Sequence, residues 1–232
     1  IQGNAMAAGG DPSTANTELY DGTSWTETAN LSTARYALWG FGTVAAAVAQ
    51  GGQAPPGTTA ATEEFQKSIL TYTPGAWASG GNLGTARYHL GGTGTQTAGL
   101  AFAGATYPPT VNKNESEEYD GSSWAEGNNV NVARRMIRGA GTQTAGLAFG
   151  GIGDTDDTEE YNGTSWTEAN NLTTGRYGMG GAGTQTAALS IGGGEPNVAI
   201  VEEYDGTNWS EGPDINTARH VGAAFGTSTA AI

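Results

Sequence analysis

A phrase of the form Leu-x-Thr-Ala-Arg-Tyr returns five times along this chain, each time downstream of an aromatic-Asp-Gly-x-x-Trp phrase. The copies are Leu31 to Tyr36, Leu83 to Tyr88, Val130 to Arg135, Leu172 to Tyr177 and Ile215 to His220. A unit this short cannot bury an apolar face by itself, so the copies must stack on one another. The repeat tryptophans Trp25, Trp77, Trp124, Trp166 and Trp209 are spaced by 52, 47, 42 and 43 residues. A period near 40 to 50 is that of β-propeller blades. The copies also serve as an internal alignment. What they share reads as scaffold, and what differs between them is where function sits.

Each unit reads as four strands, a to d. In the fourth, strand a starts at the repeat arginine (Arg176 to Gly181), strand b runs from Thr186 to Ile191, strand c is Val201 to Tyr204, and strand d surrounds Trp209. The phrases Asp21-Gly22, Asp120-Gly121, Asn162-Gly163 and Asp205-Gly206 predict tight hairpins with φ > 0 at both central positions. Thr73-Pro74-Gly75-Ala76 makes the second connection longer. No stretch keeps a helical period. Glycines of strands a and b suit crowded strands near an axis. The outer-strand tryptophan is expected to fill the gap between each pair of adjacent blades.

Composition narrows the partners. The 232 residues include 39 Gly, but in register with the repeat, which marks turns and close packing and not low-complexity disorder. Net charge is −14, and five of the nine basic residues are the repeat arginines Arg35, Arg87, Arg134, Arg176 and Arg219. Phosphate contacts need Lys and Arg, so nucleic acid is not an expected partner, and neither is an anionic membrane surface. No run of about 18 apolar residues is present, so no membrane insertion by a helix is expected. Residues 1–10 lack the basic start and apolar stretch of a signal peptide. Without cysteine there is no disulfide or thiol chemistry.

The order apolar strand, Gly-Gly, Glu-Glu-Tyr-Asp-Gly, Trp, Leu-x-x-x-Arg resembles the kelch repeat. Phe149-Gly150-Gly151, Glu159 to Gly163, Trp166 and Leu172 to Arg176 carry every element of it. The resemblance spans nearly the whole chain and implies propeller blades of four antiparallel strands. The near-identical stretches 94–102 and 141–149 are also similar to kelch-like repeats of phage and marine-virus structural, tail-fibre-like proteins. Kelch-family copper oxidases use a cross-linked Cys–Tyr pair, and a chain without cysteine cannot carry that chemistry.

Closure follows from the ends. Residues 1–10 align without gaps on 142–151, so the chain begins at a strand b, and Arg219 to Phe225 is a strand a with no complete blade after it. The expected fold is therefore all-β: a five-bladed β-propeller of four-stranded antiparallel blades, its closing blade shared between the N- and C-termini. A single domain spans 1–232, with blades at 219–232 with 1–28, 35–79, 87–126, 134–168 and 176–211. Pairing both free edges removes an aggregation hazard. Thr227 to Ile232 aligns on the same positions as Ile1 to Met6, so two segments compete for one strand.

In such a meander the b–c and d–a connections share one face. The a–b loops (Gly-Thr-Gln-Thr) and c–d turns of the other face are nearly invariant, whereas the b–c loops at 11–16, 53–61, 105–114, 152–157 and 194–199 differ in length and chemistry. Variable loops on a rigid frame point to recognition. The ligand-binding candidates are Tyr36, Trp39, Tyr107, Arg135 and Arg138, with Tyr20 as a further aromatic platform. The repeat arginines themselves read as partners, between or within blades, of the strand-c glutamate pairs Glu63-Glu64, Glu117-Glu118, Glu159-Glu160 and Glu202-Glu203, with only Glu18 in the first copy. The one oxygen-rich stretch, Asp154, Asp156 and Asp157, lacks the glycine and distal glutamate of a calcium loop and reads as a solvated acidic loop. His89 and His220 have no zinc-site spacing, and no nucleophile or phosphate-loop motif appears.

The functional expectation is a non-catalytic binding or structural module of a viral fibre or surface protein. It would recognise a host glycan or protein through the b–c and d–a loops, use no cofactor and self-associate within a larger fibre, in an extracellular or virion-associated setting. The alternative is a carbohydrate-active enzyme with its acids at the pore face, drawn from Asp154, Asp156, Asp157, Glu195 and Asp214.

Overall fold

Antiparallel pairing repeats in one register along the chain, because the units place matching turn residues between strands of matching length, apart from the longer strands and c–d connection of the second unit. The computed structural model describes residues 5–67, 76–152, 156–220, 224 and 226–231. The first sheet is β1 (Ala5–Ala8), β2 (Thr17–Tyr20) and β3 (Trp25–Glu27). Next come β4 (Trp39–Thr43) and β5 (Ala46–Gln50), a small loop hairpin of β6 (Gln53–Ala54) and β7 (Gly57–Thr58), then β8 (Thr62–Gln66) and β9 (Ala76–Ser79). The third unit has β10 (Gly91–Thr95) and β11 (Ala98–Phe102), the loop hairpin β12 (Ala105–Thr106) and β13 (Val111–Asn112), then β14 (Ser116–Tyr119) and β15 (Trp124–Glu126). The fourth is β16 (Arg138–Thr142), β17 (Ala145–Phe149), β18 (Thr158–Tyr161) and β19 (Trp166–Glu168). The fifth is β20 (Gly180–Thr184), β21 (Ala187–Ile191), β22 (Val201–Tyr204) and β23 (Trp209–Glu211), followed by the hairpin β24 (Gly226–Thr227) and β25 (Ala230–Ala231).

These sheets are the blades of a five-bladed β-propeller, with no helix among the described residues. The inner strands β4, β10, β16, β20 and β24 follow one another around the axis. They approach so closely that a Cβ on Gly139 would meet the Gly92 carbonyl at 3.1 Å, and one on Gly181 the Gly139 carbonyl at 3.2 Å. This is the crowding expected of the glycine-rich inner strands. Both ends of the chain contribute to the closing position: β1 to β3 stand before β4, and β24 stands after β20.

Three devices fix blade to blade. The repeat tryptophans donate Nε1–H to a hydroxyl at the start of the preceding blade's strand c: Trp77 to Thr17, Trp124 to Thr62, Trp166 to Ser116 and Trp209 to Thr158, at 2.9 to 3.1 Å. The strand-c tyrosines Tyr119, Tyr161 and Tyr204 donate to Glu64, Glu118 and Glu160 of the preceding blade. Burial and that glutamate push all three phenols up. The a–b turn glutamines reach back as well, Gln143 to the carbonyls of Gly99 and Tyr119 and Gln185 to those of Gly146 and Tyr161.

Within blades, Arg35, Arg87 and Arg134 meet Glu63, Glu117 and Glu159 at 3.1, 2.6 and 2.7 Å, and Arg176 meets Glu202, all in the core. A buried charge must be paired. Each carboxylate spends its second oxygen on a backbone N–H of the repeat phrase, as Glu159 does on Asn131.

Several expectations need correction. Strand a starts not at the arginine but four residues later, at Gly180 in place of Arg176. The Asp-Gly turns are four-residue connections: Tyr20 pairs with Trp25, only the glycine has φ > 0, and Asp21 accepts from the N–H groups of Thr23 and Ser24. An indole does not fill every blade gap. Trp25 is 49% exposed, and the position that should offer it a hydroxyl is Val201. The fifth arginine pair is not formed either, as Arg219 and Glu18 are both exposed and Arg219 donates only to the Thr217 carbonyl. Among the described residues β1 pairs only with β2 and β24 only with β25, in the register of an a–b hairpin.

Candidate functional site

One position in the repeat builds a ring. The residue after each buried arginine (Tyr36, Tyr88, Arg135 and Tyr177) is tied by its backbone to the b–c loop of its own blade. Tyr36 bridges Gln53, Tyr88 bridges Ala105, Arg135 bridges Ile152, and the Tyr177 carbonyl accepts from Gly194 N–H at 2.8 Å. The d–a and b–c connections therefore share one face, as expected. The next residue in each of these four copies turns left-handed: φ is 51° at Ala37, 51° at His89, 56° at Met136 and 65° at Gly178. Non-glycine residues seldom hold this conformation without a compensating contact. Here the contact is a chain of hydrogen bonds from blade to blade: His89 N–H to Ala37 O at 3.2 Å, Met136 N–H to His89 O at 2.8 Å and Gly178 N–H to Met136 O at 3.3 Å. The kink lifts the backbone into an axial mouth before each inner strand begins.

The first residues of the inner strands lie just beneath it. In the four complete blades two are glycines, Gly91 and Gly180, and two are large, Trp39 and Arg138. The Arg138 guanidinium crosses to lie over the Trp39 ring at 4.9 Å, and the Trp39 Nε1–H donates to the Gly92 carbonyl at 2.8 Å. Arg138 is 7% exposed, and among the described residues its one hydrogen bond runs from Nη1 to the Ile137 carbonyl at 3.0 Å. Burial pushes it down to about 10, so it stays charged at neutral pH. Burial first, and then the charges of Arg138, Arg135 and His220, push the His89 imidazole down to about 4, leaving it neutral at pH 7.

Around the rim, Arg135 donates from Nη1 to Asn112 Oδ1 at 2.7 Å. The Tyr177 hydroxyl donates to Glu195 Oε2 at 2.9 Å, and that carboxylate raises the phenol. Tyr107, 47% exposed, sits on the third b–c loop and accepts at its carbonyl from Thr58 of the second, at 3.5 Å.

Of the predicted site residues, Tyr36, Trp39, Arg135 and Arg138 gather at the mouth, and Tyr107 stands on the loop rim. Tyr20 does not join them. It lies on β2 against Trp25, ring centroids 5.2 Å apart, beside a c–d turn of the other face. Asp154 lies outside the described residues. Asp156 accepts at its carbonyl from Leu172, and Asp157 accepts from Asn171 Nδ2 at 3.5 Å. Among the described residues no three His, Asp or Glu side chains gather as metal ligands. Tyr88, His89, Met136 and Tyr177 belong to the ring but were not singled out as ligand-binding residues. Reading the last column of the repeat phrase down the copies (Tyr, Tyr, Arg, Tyr, His) marks the ring directly.

No family model matches the chain, and no curated protein matches it. Among solved structures, that of YjhT superposes over 96% of this chain and 84% of that chain with a TM-score of 0.78, at 9% sequence identity. At that identity the likeness shows a shared fold and nothing of activity.

Proposed function

We propose that this chain is a non-catalytic recognition propeller of kelch-like repeats, serving in a viral fibre or surface protein and holding a glycan or protein ligand over its axial mouth. The observation that carries the reading is the ring at the position after each repeat arginine. Repeated backbone anchors place Tyr36, Arg135 and Tyr177 there, with Tyr88 buried, beside b–c loops that differ in length and chemistry. Aromatic faces and a guanidinium suit stacking and hydrogen bonding to a polar ligand. The opposite face repeats nearly unchanged from blade to blade and serves the frame.

The test is direct. The whole chain is immobilised and offered to a glycan array and a panel of surface proteins, and the same preparation is assayed for glycoside turnover. Retention of a ligand without product, weakened about tenfold or more by Tyr107→Ala or Arg135→Ala, supports the reading. Product formation by the wild-type chain, or retention indifferent to both variants, removes it.

A further inference from the structure

The buried arginines fall into two kinds. Arg35, Arg87, Arg134 and Arg176 each face a glutamate. Arg138, 7% exposed, faces none; a buried N–H without a partner also occurs on Arg35, Arg87 and Arg134, but only Arg138 adds to its unpartnered Nε–H the lack of a counter-charge among the described residues. A guanidinium removed from water needs a counter-charge or in-plane acceptors for its five N–H groups. The Trp39 indole covers one face of it, but a π face offers no acceptor in the guanidinium plane. The Ile137 carbonyl takes a single N–H.

Its neighbours point the same way. His89 Nδ1 and His220 Nε2 are also buried without a partner. The charges that act on His89 are those of Arg138, Arg135 and His220, with no carboxylate among them. In a chain of net charge −14, the axial mouth has gathered two arginines and both histidines.

We propose that this cluster is an anion site, in which the in-plane N–H groups of Arg138 receive a carboxylate carried by the ligand, and His89, His220 and Arg135 supply further N–H donors. It deepens the recognition reading above and rests on it for where the ligand lies. A single carboxylate matches the planar fork of a guanidinium. A polyanion is disfavoured by the negative charge of the rest of the molecule.

Glucuronate serves as the probe, with glucose as its uncharged counterpart and inorganic phosphate and chloride as other anions, titrated into the whole chain at constant ionic strength. Nuclear magnetic resonance follows the Arg138 Nε–H and the Trp39 indole N–H. Glucuronate should move both signals saturably, phosphate and chloride should do so more weakly, and glucose should leave them in place. Arg138→Met should weaken glucuronate binding about tenfold or more, and Arg138→Lys, which keeps charge but loses the fork, should fall between. Wild-type signals indifferent to glucuronate overturn the proposal, as does equal movement with glucose or a folded Arg138→Met chain that binds within about twofold. Should Arg138→Met fail to fold, the wild-type titration and Arg138→Lys decide. A chain that retains an array ligand while glucuronate leaves Arg138 unmoved loses the anion site but keeps the recognition face. Glucuronate binding at Arg138 with nothing retained on the array has the opposite meaning.

Discussion

At the scale of single residues, burial decides what a charge is worth. Arg134 and Glu159 are both fully buried and 2.7 Å apart. Glu159→Gln leaves the Arg134 guanidinium without its counter-charge, and breaking such a pair costs about 3–5 kcal/mol. Urea unfolding of the variant measures this. The partly exposed Lys113–Glu115 pair, at 3.2 Å with side chains 29% and 22% exposed, is the control. Glu115→Gln should cost clearly less than Glu159→Gln, about 1 kcal/mol, because solvent reaches both members of this pair and neither member of the other. Equal losses in the two variants would contradict the argument. His89 brings a pH dependence with a definite sign. Its folded pKa of about 4 lies below the ordinary histidine value of 6.5. Below about pH 6.5 the unfolded chain therefore binds a proton that the folded chain does not, and stability falls as pH drops toward about 4, by at most about 3 kcal/mol. His89→Asn should flatten that part of the stability profile relative to wild type. Parallel profiles would show that the imidazole does not titrate this way.

At the scale of elements, the tryptophan on strand d joins two blades. Trp166 and Trp209 are 7% and 5% exposed and pack on Phe102 and Phe149 of the preceding blade with ring centroids 5.0 Å apart. Truncating either to alanine should cost about 3–5 kcal/mol. Trp25→Ala should cost less than half as much, since the indole is already half in water. Thermal unfolding of the three variants orders them, and a Trp25 variant as damaged as the other two would refute the ranking. Where one half of a cross-blade contact is lost, the other half is lost with it. Phe65 replaces the strand-c tyrosine of the second blade, and Leu19 replaces the glutamate it would have met in the first. Such pairing explains why so much of the fold was legible. The period set the blades, the Gly-Gly and Asp-Gly phrases set the turns, and the arginine–glutamate columns predicted the core ion pairs. The late start of strand a was not legible, because Ala37, His89 and Met136 turn left-handed inside what reads as a continuous strand, and only the neighbouring blade supplies the reason. The stacking of Arg138 on Trp39 was hidden for a similar cause. The two residues are 99 positions apart on non-adjacent blades, and the ring alone brings them face to face.

At the scale of the whole molecule, a propeller is as strong as its seam. Between blades two and five each junction carries an indole bonded to a hydroxyl, a tyrosine on a glutamate and a glutamine on backbone carbonyls. The junction of the fifth blade with the first has the exposed Trp25, Val201 in the hydroxyl position, and Arg219 and Glu18 both facing water. The β24–β25 hairpin occupies the pairing edge that β1 would otherwise take. Apolar burial is the main stabilising force, and among the described residues this junction has neither a buried indole nor a buried ion pair, so opening should begin here and spread inward. Hydrogen exchange of the intact chain tests this. Amides of β17 and β21, in the middle of complete blades, should exchange at the rate of global unfolding. Those of β1, β2 and the β24–β25 hairpin should exchange through a local opening at least about a hundredfold faster, corresponding to about 3 kcal/mol less protection. A ring closed as firmly at the seam as elsewhere would protect β2 as well as β18, and that result would show that blade closure does not depend on the indole, the hydroxyl and the buried ion pair missing there.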